Sequence, residues 1–374
     1  MKLLIITYSL SSGGAERFLT DMLSELSLKK DVQITLLMIK SNKIEENVFY
    51  LHELDKKIKV ESLGIKKIDL SIIYKLYYAI KKSNPDIVHI HLSPIILYTI
   101  GAIMLLHKKV YIETLHNEVA RIDNSNKIKR WLKYLVYHFN NVKICTISDK
   151  NANEFKRIYG IDCDTLIYNG RKKMEPSRNF KNIKAEIQTY KIDANTLVIT
   201  HIARCAPQKN QDLLIDSFNL LIEQGYNVTL LVIGNGFDSK KGLELKGKAS
   251  KAIHFLGEKH DIQDYLMCSD AFCLSSLYEG MPITLIEALA YGCIPLSTPV
   301  SGITDLIIDG KNGFVASDFT LKSYIDMLNR YLTHRKNINK KELIELYENK
   351  LSIKACTNAY YDFYKYCLYK KNNK

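Results

Sequence analysis

Two glutamates eight positions apart, Glu279 and Glu287, bracket a Gly-Met-Pro turn in the run SSLYEGMPITLIEALAYGCIPLSTPVSG. Proline suits the first turn of a helix, so a helix starting near Pro282 leaves Glu279 in the loop before it. Glu287 then sits about a turn and a half inside. The amides from Gly280 to about Leu285 present the positive end of a helix dipole, which suits an anion. Glu287 can accept two hydrogen bonds from a cis-diol such as the 2′ and 3′ hydroxyls of a ribose. The spacing alone leaves a second chemistry open, in which the two carboxylates act as hydrolytic acid and base.

Cations lie upstream. In HIARCAPQKN, Arg204 follows a candidate strand and Lys209 comes five positions later. A guanidinium fork and a compact ammonium at one strand end suit a diphosphate, which favours a phosphorylated ligand. LLVIGNG puts Gly234 and Gly236 after another candidate strand, where backbone can approach a ligand closely. Near the N-terminus, Ser11-Ser12-Gly13-Gly14-Ala15-Glu16 forms a glycine turn opening a helix with an apolar stripe of Phe18, Leu19, Met22, Leu23 and Leu26. It is neither GxGxxG nor a phosphate loop ending in Lys-Ser/Thr. Histidines also fall at strand ends: His89 and His91 in DIVHIHLS, and His116 in YIETLHNE. Flanked by polar Asn117 and Glu118, His116 is expected to face the ligand and donate to a sugar hydroxyl or a phosphate.

Taken in order over nearly the whole chain, these segments resemble the retaining glycosyltransferases of family 4, the "glycosyl transferases group 1" type. GGAE lies in the N-terminal loop, His116 after a strand and Asn169-Gly170 at the interdomain segment. ARCAPQKN is similar to the family's G-R-x-x-x-x-K-(G/N) segment, IGNG to its G-x-G turn and EGMPITLIE to its E-x7-E signature. The resemblance implies the α/β GT-B fold, with two Rossmann-like, doubly wound parallel-sheet domains facing across a cleft and a last helix crossing back to the first. It implies transfer of a sugar from a nucleotide-diphosphate donor, UDP-linked by family frequency. The implied acceptor is a glycan or a polyprenyl-diphosphate-linked molecule, in bacterial capsule, O-antigen or exopolysaccharide synthesis.

Carried over residue by residue, the resemblance gives Arg204 and Lys209 the donor diphosphate, Glu287 the ribose diol and Glu279 the hydroxyls of the transferred sugar. Gly280, Met281, Pro282, Ile283 and Thr284 match the loop that wraps sugar and phosphate, with Pro282 having no N–H to give. Gly234 joins the donor-binding set, Gly14 approaches the diphosphate from the other domain, and His116 meets the donor near the reaction centre. His116, Arg204, Lys209 and Glu279 form the expected catalytic set. No metal or other cofactor is implied, because two side-chain cations stabilise the leaving diphosphate. The chain departs from the family's pattern at Ala203, where a glycine usually precedes the arginine. It departs again at Ser301-Gly302-Ile303-Thr304-Asp305, where relatives often carry Gly-Gly and Glu.

Such residues need elements to hold them. Short runs rich in Ile and Val alternate with longer amphipathic segments, the pattern of parallel sheets covered by helices on both faces. Candidate strands cover residues 3–7, 33–39, 87–91, 110–114 and 142–147 in the first half. In the second half they cover 197–203, 228–233, 252–256, 271–274 and 294–297. Turn signals at Asn169-Gly170 and Pro176 place a boundary within 168–191. One domain is expected over 1–180, joined by a C-terminal helix at about 355–374, and a second over 185–352. Ligands of open α/β sheets bind beyond the carboxyl ends of the strands, where the residues above fall.

A chain of 374 residues allows two cores, and 47% hydrophobic with 25% charged residues excludes disordered, collagen-like and coiled-coil classes. Eight cysteines show neither CxxC nor Cys/His zinc spacing, so a reduced, cytoplasmic chain without structural metal is expected. The apolar run 92–106 is broken by Pro94 and falls short of the roughly 20 residues that span a bilayer.

The formal charge is +13, and residues 1–184 carry +12 of it. Codon bias towards lysine would act on both halves, so the asymmetry points to an acceptor-side surface facing an anionic membrane or a lipid-linked diphosphate. In 126–140, Ile128, Trp131, Leu132, Leu135, Val136 and Phe139 recur at helical spacing, with Lys127, Lys129, Arg130 and Lys133 mostly opposite. The plainer reading packs that stripe into its own domain. The sharper one lays a basic amphipathic helix on anionic lipid, at the inner face of the cytoplasmic membrane. Two alternatives stand beside glycosyl transfer: a nonhydrolysing nucleotide-sugar epimerase of the same fold, and a non-enzymatic basic binding protein. E-x7-E with the Arg/Lys pair argues against the first, and no nucleic-acid motif supports a polynucleotide partner for the second.

Overall fold

The computed structural model describes residues 1–11, 13–67, 69–91, 95–116, 119, 127–139 and 142–373. The chain forms two compact units, 1–171 with 350–374, and 172–349. The first unit thus ends short of the expected 180, and the chain rejoins it ahead of the expected 355. Backbone pairing explains both limits. The Arg171 N–H donates to Leu351 O at 2.9 Å, and Ile353 N–H donates to Arg171 O at 3.1 Å. The outgoing and returning segments are zipped together inside the first unit, and Arg171 also pairs there with Asp21.

The sheet of the first unit is parallel throughout. Its strands are β1 (Lys2–Thr7), β2 (Gln33–Lys40), β3 (Lys59–Ile65), β4 (Ile87–His91), β5 (Val110–Leu115), β6 (Lys143–Thr146) and β7 (Thr165–Leu166), in the order β3-β2-β1-β4-β5-β6-β7. The central runs IVHIH and VYIETL are buried at every position, as strands covered on both faces must be. Sequence reading missed β3 because KVESLGI lies at an edge and stays mostly half-exposed. The closing helix, Ile353–Asn372, buries Tyr360, Phe363 and Tyr364 and packs on the helix Gly14–Leu26. From there Tyr364 Oη meets His89 Nδ1 at 2.7 Å and Tyr360 Oη meets Thr114 Oγ1 at 3.2 Å.

The second unit has six parallel strands: β8 (Leu197–Ile202), β9 (Val228–Ile233), β10 (Ile253–Gly257), β11 (Ala271–Leu274), β12 (Ile294–Ser297) and β13 (Phe314–Val315). Their order is β10-β9-β8-β11-β12-β13. Strand order reverses direction between β8 and β11, so the chain leaves those two neighbours towards opposite ends of the sheet. Such a switch point opens a crevice at the carboxyl ends of the strands. In the first unit the same reversal falls between β1 and β4.

Candidate functional site

Residues 203–209 follow β8 and residues 275–280 follow β11, so both loops border the switch point. They are stitched together: Leu277 N–H donates to Gln208 O at 2.9 Å, and Ser275 Oγ to Lys209 O at 2.8 Å. On that frame Lys209 Nζ donates to Glu279 Oε1 at 2.6 Å, with side chains only 16% and 8% exposed. Ser276 Oγ donates to the same oxygen at 2.7 Å. Gln208 Nε2 donates to Tyr278 O at 2.9 Å and reaches Glu279 Oε2 at 3.4 Å. Two residues expected to serve diphosphate and sugar separately are therefore bonded to each other.

Arg204 differs. Its side chain is exposed and forms no ion pair among the described residues. Its carbonyl accepts from Gln211 Nε2 at 2.9 Å, and Gln211 Oε1 accepts from Ala206 N–H at 3.4 Å, so the first residue of the helix Gln211–Glu223 shapes the arginine loop. Beneath it, His201 is fully buried, with Nδ1 3.0 Å from Cys273 O. Burial pushes its ring down to about 4, against the opposing pull of that carbonyl, so it stays neutral. Gln208, Gln211 and Ser276 were missed by motif reading, although their places just beyond a strand or at a helix start were the available signal.

The helix after the glycine turn runs Ile283–Ala290, and Pro282 caps it instead of opening it. Proline fixes φ, here −66°, but leaves ψ free, and ψ at 120° is extended. The Pro282 carbonyl accepts from Leu285 and Ile286, so Ile283 and Thr284 carry the first open amides. Glu287 lies on this helix with 8% exposure, and Met281 is buried at 6%. Gly280 is braced from behind: at Gly302, where φ is +73°, a Cβ would stand 1.9 Å from Gly280 O. That contact accounts for a glycine at 302 whatever the sugar.

Gly234 packs against the chain's own backbone. With φ at +145°, a Cβ there would fall 2.1 Å from Ala203 O, so the chain's own arginine loop makes the close approach. Ala203 N–H donates to Ile233 O at 3.0 Å, which fixes that contact. A cavity of about 540 Å³ elsewhere in this unit, lined by Thr304, Asp309, Asp326 and Arg330, shares none of these residues.

In the first unit Gly13 caps the helix that Gly14 begins. A carboxylate of the chain folds back on this turn: Glu16 Oε2 lies 2.2 Å from where a Gly13 Cβ would stand, and Glu16 Oε1 accepts from Ser11 Oγ at 3.5 Å. Burial raises the Glu16 carboxyl, opposed by its own amide and the Ser11 hydroxyl. His116 does not present an open ring either. It is 7% exposed, its Nε2 is 2.9 Å from His91 Nδ1, and its Nδ1 is buried with no partner among the described residues. Burial pushes it down to about 4. Asn117 and Glu118 lie outside the described residues.

The basic helix Lys127–Phe139 departs from its expected faces at three positions, while Val136 is buried and Lys127 and Lys129 are exposed as expected. Ile128 and Trp131 are 72% and 60% exposed, whereas Lys133 is buried with Val136 and Tyr137. Tyr74, Tyr78, Met104 and Leu105 are likewise exposed, on the helices Ser71–Ser83 and Ile100–Leu105 that pack together on this unit. The first unit holds 32 Lys and Arg against 19 Asp and Glu, the entire +13, and the second holds 21 of each. Among the described residues no helix is long and apolar enough to cross a membrane, and no group of three His, Cys, Asp or Glu could hold a metal ion.

Two family descriptions match the chain: Glycosyltransferase Family 4 over residues 12–171 and Glycosyl transferases group 1 over 182–349. The chain is 27% identical over 273 residues, 70% of each chain, to the UDP-Gal:alpha-D-GlcNAc-diphosphoundecaprenol alpha-1,3-galactosyltransferase of Escherichia coli. It is 24% identical over 356 residues to the capsular polysaccharide biosynthesis glycosyltransferase CapH of Staphylococcus aureus, covering 91% of this chain and 93% of that one. In fold it is similar to Anabaena HepE in complex with UDP, with a TM-score of 0.78 and 17% identity over 97% of this chain and 99% of that one. It is also similar to WaaG, a glycosyltransferase involved in lipopolysaccharide biosynthesis, with a TM-score of 0.67 and 17% identity over 96% and 99%.

Proposed function

We propose that this chain, which belongs to the group 1 glycosyltransferases of family 4 and has their GT-B fold, uses the β8–β11 switch point to hold a UDP-linked sugar donor. It transfers that sugar, with retention of configuration, to a glycan or polyprenyl-diphosphate-linked acceptor in surface polysaccharide synthesis. The observation that carries this reading is the Lys209–Glu279 pair beside the exposed Arg204 at one switch point. One pair of loops there offers cationic groups for a diphosphate and a carboxylate for hydroxyls. The names of the E. coli and S. aureus relatives support the donor, the diphosphate-linked acceptor and the polysaccharide pathway.

The chemistry follows from charge. As the bond from the sugar's C1 to the diphosphate breaks, negative charge grows on the leaving oxygen. Arg204, Lys209 and the amides of Ile283 and Thr284 stabilise it. The acceptor hydroxyl forms its bond to C1 on the same face and gives its proton to the departing diphosphate, so no protein nucleophile is needed. Glu287 accepts from the ribose diol, and the backbone from Gly280 to Thr284 wraps phosphate and sugar. Gly14 and His116 are assigned to the donor's phosphate and sugar by the same likeness. No metal takes part, so activity survives chelation with EDTA.

On the acceptor side, the first unit's charge together with exposed Ile128 and Trp131 fits peripheral binding to the anionic inner face of the cytoplasmic membrane. The test of function is UDP release from UDP-sugars with and without a polyprenyl-diphosphate-linked saccharide. Acceptor-dependent release with a retained anomer supports transfer. Isomerised donor without transfer refutes it in favour of an epimerase.

A further inference from the structure

The donors around Glu279 are unevenly shared between its two oxygens. Oε1 receives Lys209 Nζ at 2.6 Å and Ser276 Oγ at 2.7 Å, which fills its two lone-pair positions. Among the described residues, Oε2 receives only the long contact of 3.4 Å from Gln208 Nε2. It is therefore the oxygen with room for a hydroxyl donor.

The Gln208 amide is oriented by the same contacts. Its nitrogen must face the Tyr278 carbonyl at 2.9 Å and the carboxylate, because an amide oxygen there would be repelled by both. Its Oε1 points the other way and has no partner among the described residues, while the side chain is only half-buried. The backbone of Gln208 is pinned as well, by the bond from Leu277 N–H and by the turn Pro207–Lys209. The turn and the loop after β11, tied together, thus hold two open acceptors, Gln208 Oε1 and Glu279 Oε2, bridged by one N–H. Two acceptors so placed match a pair of adjacent sugar hydroxyls, each donating one hydrogen bond.

We propose that Gln208 is a specificity-determining residue for the transferred sugar, accepting at Oε1 the hydroxyl next to the one that Glu279 Oε2 takes. The inference rests on the reading of Glu279 as a sugar-binding group. Because that group is anchored by Lys209, the sugar is read from the same loop that meets the diphosphate.

The test measures binding of the tighter of UDP-glucose and UDP-galactose, its 3-, 4- and 6-deoxy analogues, and UDP itself to the full chain by calorimetry. Wild type is expected to lose at least about fivefold in affinity at two adjacent deoxy positions, the scale of a single hydrogen bond. Gln208→Met erases the penalty at one of them while keeping UDP affinity within about twofold, and Glu279→Gln erases the penalty at the other. A uniform loss of affinity for UDP and for every sugar nucleotide in Gln208→Met marks a structural tie and overturns the inference. So does a Gln208→Met that keeps every deoxy penalty while Glu279→Gln removes one. If Glu279→Gln changes no deoxy penalty, or wild type binds neither sugar nucleotide more tightly than UDP, the sugar-binding reading falls and takes this inference with it.

Discussion

Arg204 and Lys209 look equivalent in sequence, two cations five residues apart, yet the structure predicts opposite costs for removing them. The Lys209 ammonium bonds to a carboxylate that is 8% exposed. Lys209→Ala leaves the buried Glu279 with only the neutral donors Ser276 and Gln208 among the described residues, and removing one member of a buried pair costs about 3–5 kcal/mol. Since Lys209 keeps 16% exposure and water can partly replace it, the low end, about 3 kcal/mol, applies. For a unit of this size that lowers the melting temperature by about 6–12 °C. Arg204 is exposed without an ion pair, so Arg204→Ala changes stability by no more than about 0.5 kcal/mol. Its turnover falls by about 100- to 1,000-fold, the usual loss on deleting a donor to developing charge. Differential scanning calorimetry and acceptor-dependent UDP release on the same preparations separate the two effects. The double variant Lys209→Met with Glu279→Gln removes both charges and is expected to melt above the sum of its singles, by at least about 1 kcal/mol of coupling. A Lys209→Ala chain that melts with wild type refutes the pairing argument, and an Arg204→Ala chain with full turnover refutes the assignment of the site.

Other outcomes follow from features of single units. His116 is held neutral by burial at about 4, against about 6.5 when unfolded, so the unfolded chain takes up its proton first as pH falls. The stability it contributes is whole above about pH 6.5 and drains towards pH 4, amounting to about 2 kcal/mol between pH 7.5 and 5. Urea unfolding at the two pH values should show that loss, and His116→Gln should lessen it by that amount; an unchanged pH slope in the variant contradicts it. Gly234→Ala forces a Cβ to 2.1 Å from Ala203 O at a φ of +145° and should cost at least about 2 kcal/mol, read as a lowered melting temperature; a neutral effect would dispute the close approach. Co-sedimentation with anionic vesicles should weaken several-fold in Trp131→Ala and in a chain with Lys127, Lys129 and Arg130 changed to Gln, and wild type that ignores such vesicles ends the membrane reading.

Much of the architecture is legible in the sequence because the central strands are nearly continuous apolar runs, and the rule that sites follow strands puts the candidates Arg204, Lys209 and Glu279 on loops after β8 and β11. What escapes is partnership. Nothing in a linear pattern shows that Lys209 lies on Glu279, that Glu16 closes the turn it belongs to, or that His116 spends its Nε2 on His91. Helical spacing alone assigned Lys133 to the wet side of its helix and Trp131 to the buried stripe, because a moment gives the contrast between faces but not which face meets the sheet. Strands β7 and β13 have two residues each, too few for any period to show.

The returning helix Ile353–Asn372 also orders events during synthesis. Tyr360 and Tyr364, both fully buried, supply partners for Thr114 and His89, groups made some 250 residues earlier. The first unit therefore leaves the ribosome incomplete, with part of its interior polar network unpaired until residues 353–372 have been made. The second unit, contiguous over 172–349, has all its strands beforehand. Chains usually fold from the N-terminus forward, but here the later unit finishes first. A nascent chain arrested before residue 350 should resist protease in its second unit while its first stays cleavable.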